Sequence, residues 1–471
     1  MFDELPGGRR TAARVAVVLL VASLFAPAGV AAVTPQSGGT PGTVGLEAGT
    51  IDEQPDNATI VSIQGFHFQG QGAKKKPARV VSVSPNGTTN WVFEGGPYDA
   101  TWFYDVDPLP NGNLLVVSTN PDGTLVMELD RDTRRAVWKQ RLDMTDTHDV
   151  DMLPNGNLLI ANMRNWNNET KVSNDRIVVF NRTTDEIVWE WKFREHYPNS
   201  TDGGFSEDWT HVNDVDRIGP GRYLASPRNF DQAIVVDRES GDIVHRLGSD
   251  GDHDTMFEQH NPDWLVSEDG TPVVLVADSE NDRVVEYEKR DGEWEKVWSV
   301  GTGQLSWPRD ADRLPNGNTL ITDSLNHRAI EVTPQGKIVW EYYATWGAYE
   351  AERLGTGDES NGPTMSDLGV TGDYVLTNSA GLIEGTGDTN TFAATVQNSF
   401  AGTPLADPAA EFAVRWSHVT PWIQPVWMNS WAFASLVGGV LVTLLWVLAE
   451  LVLARERILN RLVGVVRGVG G

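Results

Sequence analysis

A chain of 471 residues is too long for one small domain but within reach of a single large propeller, and 40% hydrophobic residues allow a sizeable core. A formal net charge of −28 argues against nucleic acid and anionic lipid surfaces as partners. The absence of cysteine excludes disulfides, thiolate chemistry and Cys-ligated zinc or iron–sulfur sites.

In chain order, residues 1–14 read as a cytoplasmic N-terminus. Residues 15–33 form an uncharged, mostly apolar run behind Arg9, Arg10 and Arg14, either a cleaved signal peptide or a retained transmembrane anchor. The Arg9–Arg10 pair fits twin-arginine export. Residues 34–57 are rich in Gly, Pro and Thr and read as a linker, and residues 58–420 as the folded body. Within it, residues 348–372 and 379–391 read as long loops. Residues 428–449 are uncharged and long enough to span a bilayer. Trp422, Trp427 and Trp431 stand at the outer edge of that span, and the basic tail 450–471 follows with Arg455, Arg457, Arg461 and Arg467. The positive-inside rule puts both ends in the cytoplasm and the body on the extracellular side of the cell membrane. Five Asn-x-Ser/Thr sequons, at Asn57, Asn86, Asn168, Asn181 and Asn199, fall in that outer part and predict a glycoprotein. Only nine of the 37 basic residues are lysine, which with the acid excess predicts a halophilic protein.

The body repeats itself. "DVDPLPNGNLLVVS" from Asp105, "DVDMLPNGNLLIAN" from Asp149, "DVDRIGPGRYLASP" from Asp214, "DWLVSEDGTPVVLV" from Asp263 and "DADRLPNGNTLITD" from Asp310 each place Asp seven residues before a turn glycine. A second pair of strands follows each unit, and an earlier copy of that outer pair, "RVVSVSPNGTTNWVFE", begins at Arg79. Four short strands per repeat make a propeller blade. The prediction is an all-β, six-bladed β-propeller flanked by N- and C-terminal transmembrane or signal helices. The inner strands of the sixth blade are expected from "DYVLTNSA" at Asp373, "EFAVRWS" at Glu411 or "TIVSIQG" at Thr59.

Aligning the inner units on their glycines gives the candidate site. Ten residues before the glycine stand Trp102, Asp146, His211, His260 and Trp307; eight before stand Tyr104, His148, Asn213, Pro262 and Arg309. Strict alternation puts these two positions on one face and the repeated Asp on the other. Innermost strands line a propeller's channel, so three imidazoles, an amide, a guanidinium and several aromatics converge on one mouth. After the second strands, "ANMRN" and "ASPRN" place Arg164 and Arg228 at matching positions, with Glu280 and Leu325 at that register in the next two blades; the two arginines suit anion capture. Three histidines also suit zinc, but the arginines and the amide suit an oxyanion better than a cation.

At these residues the chain resembles the periplasmic-type arylsulfate sulfotransferases that do not use 3′-phosphoadenylylsulfate. The likeness spans roughly residues 58–420 and rests on the propeller repeats and the ordered motifs His148-Asp149, His211-Val-Asn213, Ser226-Pro-Arg228 and Gln259-His260. It implies a six-bladed propeller that moves a sulfuryl group from an aryl sulfate donor to a phenolic acceptor through a sulfohistidine. It maps the nucleophile onto His260, and maps His148, His211, Asn213 and Arg228 onto the residues that hold the sulfate and protonate the leaving phenoxide. No cofactor and no metal are expected. Trp102, Tyr104 and Trp307 offer faces for the aryl ring, and Arg164 and Arg309 complete the substrate-binding set. The alternatives are a non-enzymatic extracellular ligand-binding propeller and a metal-dependent lyase or hydrolase using the three histidines. The oligomeric state is open.

Overall fold

A computed structural model describes residues 7–33, 43–68, 71–72, 76–380 and 391–468. Residues 34–42 of the predicted linker and 381–390 of the predicted second loop lie outside the described residues. The chain divides into two compact units, one of helices (1–38, 390–409 and 423–471) and one of strands (39–389 and 410–422).

The strand unit is a six-bladed β-propeller. Blades two to five are built from antiparallel strands in chain order, Trp102–Pro108 to Arg135–Leu142, Val150–Met152 to Glu186–Lys192 (with the separate hairpin Trp166–Asn167/Val172–Ser173 inserted), Val212–Gly219 to Ile243–Gly248, and His260–Val266 to Glu293–Val300. Blade six runs from Pro308–Arg313 to Ile338–Ala344. Blade one closes the ring. Its outer three strands, Thr59–Ile63, Arg79–Val83 and Thr89–Glu94, come from the start of the body, and its innermost strand is Ala348–Arg353. Both ends of the ring therefore share one sheet, which a blade of contiguous chain cannot offer.

That closure bears out the expected inner strand at Thr59 and corrects the other sources. Thr59–Ile63 is the second strand of the blade, and the channel-lining strand falls where a loop was expected. Gly372–Tyr374 adds parallel to the outer edge of blade five, and Glu411 lies in the helix Ala406–Ile423. Part of the expected linker, Leu46–Ile51, pairs with Ile338–Ala344 as a fifth strand of blade six. Trp422 packs on the propeller, against Phe66 and His327, with the Lys76 ammonium donating to its carbonyl oxygen at 2.6 Å. The core lies between neighbouring blades; Trp209, Trp298 and Trp340 are fully buried there.

In the helical unit, Gly7–Val33 and Ser430–Gly468 each contain an apolar stretch long enough to cross a membrane, Arg10–Val33 and Ser430–Arg455. They pack together: Arg14 forms a two-pronged ion pair with Glu450 at 2.7 and 2.6 Å.

Candidate active site at the channel

The inner strands do not alternate strictly. In blades two, four and five, two residues face a single residue of the next strand: Tyr104–Asp105 opposite Val117, Asn213–Asp214 opposite Ser226, and Asn261–Pro262 opposite Val276. In blades six and one a single extra residue, Arg309 or Tyr349, is inserted. Each bulge resets the two-residue period, so successive residues turn toward the channel instead of away from each other. This corrects the expected opposition of the two positions at Tyr104–Asp105, Asn213–Asp214 and Arg309–Asp310, and in blade five it is Asn261, not Pro262, that lines the cavity with Asp263. The backbone just upstream is unusual as well. Asp146, His211 and Trp307, three of the five residues ten before the glycine, have φ of 55°, 41° and 52°. Non-glycine residues in the left-handed region cost free energy that surrounding structure must overcome, and they concentrate at functional sites.

One wall of the channel holds the histidines. The His148 ring lies 3.8 Å from Tyr104, 5.1 Å from His211 and 5.6 Å from Tyr349, centroid to centroid. His260 lies 6.1 Å from both Trp307 and Tyr349. Trp102 stands edge-on to Tyr104 at 5.8 Å. Thus His148, His211, His260, Tyr104, Trp102, Trp307 and Arg309 are brought together, with Tyr349 at their centre. Asn213 is buried beside them and donates an amide N–H to the Gln259 carbonyl oxygen at 2.9 Å.

Each imidazole has a different second partner. His260 Nδ1 is 2.8 Å from the Ser279 hydroxyl, which itself donates to the Pro308 carbonyl oxygen at 2.6 Å. With its proton spent there, Ser279 can only accept from His260, so Nδ1 carries the hydrogen and Nε2 carries the lone pair. His211 Nδ1 lies 2.9 Å from Asp208, and His148 Nδ1 lies 3.1 Å from the Tyr349 hydroxyl. Burial is the largest cause lowering all three histidines, and the charges of Arg228 and Arg309 push the same way on His148 and His260. His211 falls to about 3. Burial therefore disfavours the charged form of all three imidazoles, with Asp146 opposing it at His148.

The positive charge resides on arginines. Arg309 is 6% exposed and stacks over Trp307 and Tyr349 at 3.9 and 4.9 Å, yet its buried Nε and Nη1 have no hydrogen-bond partner. A buried guanidinium with free donors is costly unless an anion completes it. Arg228 is half-turned to the same space, bonded to the Asn229 side-chain oxygen and 3.5 Å from Glu258. Arg164 is committed differently. It bridges Asp146 at 2.8 Å and Asp208 at 2.9 Å, so its charge is balanced by carboxylates. The structural counterparts of Arg228 are Ser279 and Ser324, which open the same short turn in blades five and six, not Glu280 and Leu325 as the sequence register suggested.

Further along the inner strands the channel is lined by acids from every blade. The first residue of each repeat, Asp105, Asp149, Asp214, Asp263 or Asp310, joins Glu350 of blade one in a six-membered ring, and a second tier of Asp107, Asp151, Asp216, Asp312 and Glu352 lies below it. Several first-tier acids stitch blades together. Glu350 accepts from the Val106 N–H at 2.5 Å, Asp105 from Val150 at 3.0 Å, Asp149 from Val215, and Asp310 from Ala351 at 3.0 Å. Each bond crosses from one inner strand to the next, which gives the recurrent Asp of the repeats a structural cause.

Residues 64–271 match the arylsulfotransferase (ASST) family model. The match covers less than half of the chain and supports an aryl-sulfate sulfotransferase enzyme. The matched span includes His148, His211, Asn213, Arg228 and His260, and stops before Ser279, Trp307, Arg309 and Tyr349. No curated relative matches the sequence. Similar solved structures include a protein of unknown function from Bacteroides caccae (13% identity, 63% of this chain and 98% of that one, TM-score 0.42) and virginiamycin B lyase from Staphylococcus aureus (12%, 64% and 88%, TM-score 0.38). These likenesses are too distant to carry an argument.

Three residues of the candidate site escape the sequence registers. Tyr349 had a legible signal: "YEAE" at 349–352 repeats the "YDVD" at 104–107, without the turn glycine that anchors the alignment. Asp208 and Ser279 contact His211 and His260 through turns outside the inner strands, where no periodicity points to them.

Proposed function

We propose that the channel mouth transfers a sulfuryl group from an aryl sulfate to a phenol through a sulfo-His260 intermediate. The observation that carries this reading is the Ser279 hydroxyl, whose bonding leaves His260 Nε2 as an unprotonated nucleophile beside a buried guanidinium with free donors. The sulfate ester carries one negative charge, which Arg309 and Arg228 offset and to which the second amide N–H of Asn213 donates, while Trp102, Tyr104 and Trp307 pack the aryl ring. The Nε2 lone pair attacks sulfur, the S–O(aryl) bond breaks, and the phenoxide leaves with that electron pair. The bound anion raises the basicity of the neighbouring imidazoles, so His148 or His211 holds the proton that the phenoxide takes. In the second half a phenol returns that proton and attacks sulfur, and the S–N bond breaks to restore His260. Asp208 holds the His211 tautomer. The arginines flanking both apolar helices suit an anchored enzyme with its propeller outside the cell.

The test is p-nitrophenyl sulfate with and without phenol. Acceptor-dependent release of nitrophenol is expected, together with an acid-labile, base-stable label from a radiolabelled aryl sulfate that His260→Ala abolishes. Release independent of acceptor, or a label retained in His260→Ala, overturns the reading; no release at all returns the propeller to ligand binding.

A further inference from the structure

We propose that the acidic ring of the channel binds calcium, with one ion held between Asp149, Asp214 and Asp216. One oxygen from each of these three carboxylates lies within 4.8 Å of the other two. They stand in a narrow cavity of about 20 Å³ whose described lining consists of thirteen carboxylates and the amide of Asn261, with no basic side chain among them. The backbone stitches consume single oxygens and supply no charge.

A second observation points into the same cavity. Oδ2 of Asp214 and Oδ2 of Asp312 are buried without a hydrogen-bond partner, in residues only 5% and 6% exposed. Asp214 occupies the first-tier position at which Glu350, Asp105 and Asp149 each accept an N–H from the next blade. Its free oxygen breaks that pattern and remains available as a ligand. The Asn261 side-chain oxygen, also buried and unpartnered, adds a neutral donor to the same lining.

The donor chemistry selects the ion. Every donor is oxygen and most are anionic, which suits a hard cation and disfavours zinc or copper. Ligands from separate strands, in an enclosed space, suit calcium, which tolerates six to eight oxygens in irregular arrangement; magnesium demands near-octahedral geometry and keeps its waters. An ion there would tie blade three to blade four directly beneath His148 and Asn213, each one residue before a ligand. It would act by holding these strands, without contact to substrate.

The experiment uses the full chain in detergent, stripped with EGTA and held in molar KCl to suppress loose binding to surface acids. Saturable calcium binding is expected, with a rise in melting temperature of several degrees that equal magnesium does not reproduce. Asp214→Asn with Asp216→Asn should lose at least one bound equivalent. Terbium substituted for calcium provides a readout on the unaltered chain: luminescence decay in H2O and D2O should report no more than about two bound waters for an enclosed ion. Absence of saturable binding, a larger effect from magnesium, an unchanged stoichiometry in a folded double variant, or a water-rich terbium signal would each overturn the proposal.

Discussion

At the scale of single residues, the least conspicuous group has the clearest consequence. Ser279 lies in a turn outside the inner strands, yet its bonding fixes which nitrogen of His260 carries the hydrogen. Ser279→Ala frees the imidazole to adopt the other tautomer. Turnover should fall about 10–100-fold with KM nearly unchanged, the covalent label should persist, and Ser279→Thr should recover most of the rate. Measuring kcat and KM for both variants checks this; a fall in KM alone would contradict it. His211 makes a second statement, about pH. Its folded pKa of about 3 lies below the ordinary 6.5, because burial disfavours the charged ring. Between those values the unfolded chain binds a proton that the folded chain refuses, so stability falls as pH drops from 6.5 toward 3 and is insensitive to this group above 6.5. Urea denaturation at several pH values should show a shallower decline in His211→Gln than in the parent chain. The opposite slope would mean that the imidazole is charged in the fold.

At the scale of elements, the bulged inner strand explains both what the sequence disclosed and what it concealed. The turn glycines and repeated acids made five of the inner strands legible, with their channel-mouth residues, because hairpin chemistry recurs at fixed offsets. Glycines such as Gly156 and Gly317 sit at φ of 80° and 86°, as those turns require. The alternation rule then misplaced the acids, since a bulge is an irregularity of pairing that leaves no mark in composition. The sixth inner strand was hidden for another reason: Ala348–Arg353 is not followed by its own hairpin, and its partner Thr59–Ile63 lies almost three hundred residues earlier. Such closure is set by the ring as a whole. The stitching acids permit a direct comparison within one element. Asp105→Asn keeps an oxygen for the Val150 N–H, whereas Asp105→Ala leaves that buried donor unpaired, and both remove the charge. The Ala variant should be less stable than the Asn variant by about 1–3 kcal/mol. Equal stabilities in chemical denaturation would mean that the bond contributes nothing.

At the scale of the whole molecule, the charge has two separable origins. Among the described residues, thirteen of the 65 acidic residues line the channel cavity, and several of them stitch neighbouring blades. The 52 others still outnumber the 37 basic residues, so an acid excess remains outside the channel. Repulsion among exposed carboxylates is long-ranged in dilute buffer and is cut to a Debye length of about 3 Å in molar salt. The buried rings are far less exposed to that screening, and they respond instead to a cation small enough to enter. The melting temperature of the calcium-saturated chain should therefore still rise between 0.1 M and about 2 M KCl, by an amount similar to that of the EGTA-stripped chain. Calcium and potassium would then add as independent terms, because they act on different carboxylates. A salt effect that vanishes once calcium is bound would assign the whole instability to the channel, and would remove the case for a surface adapted to high salt.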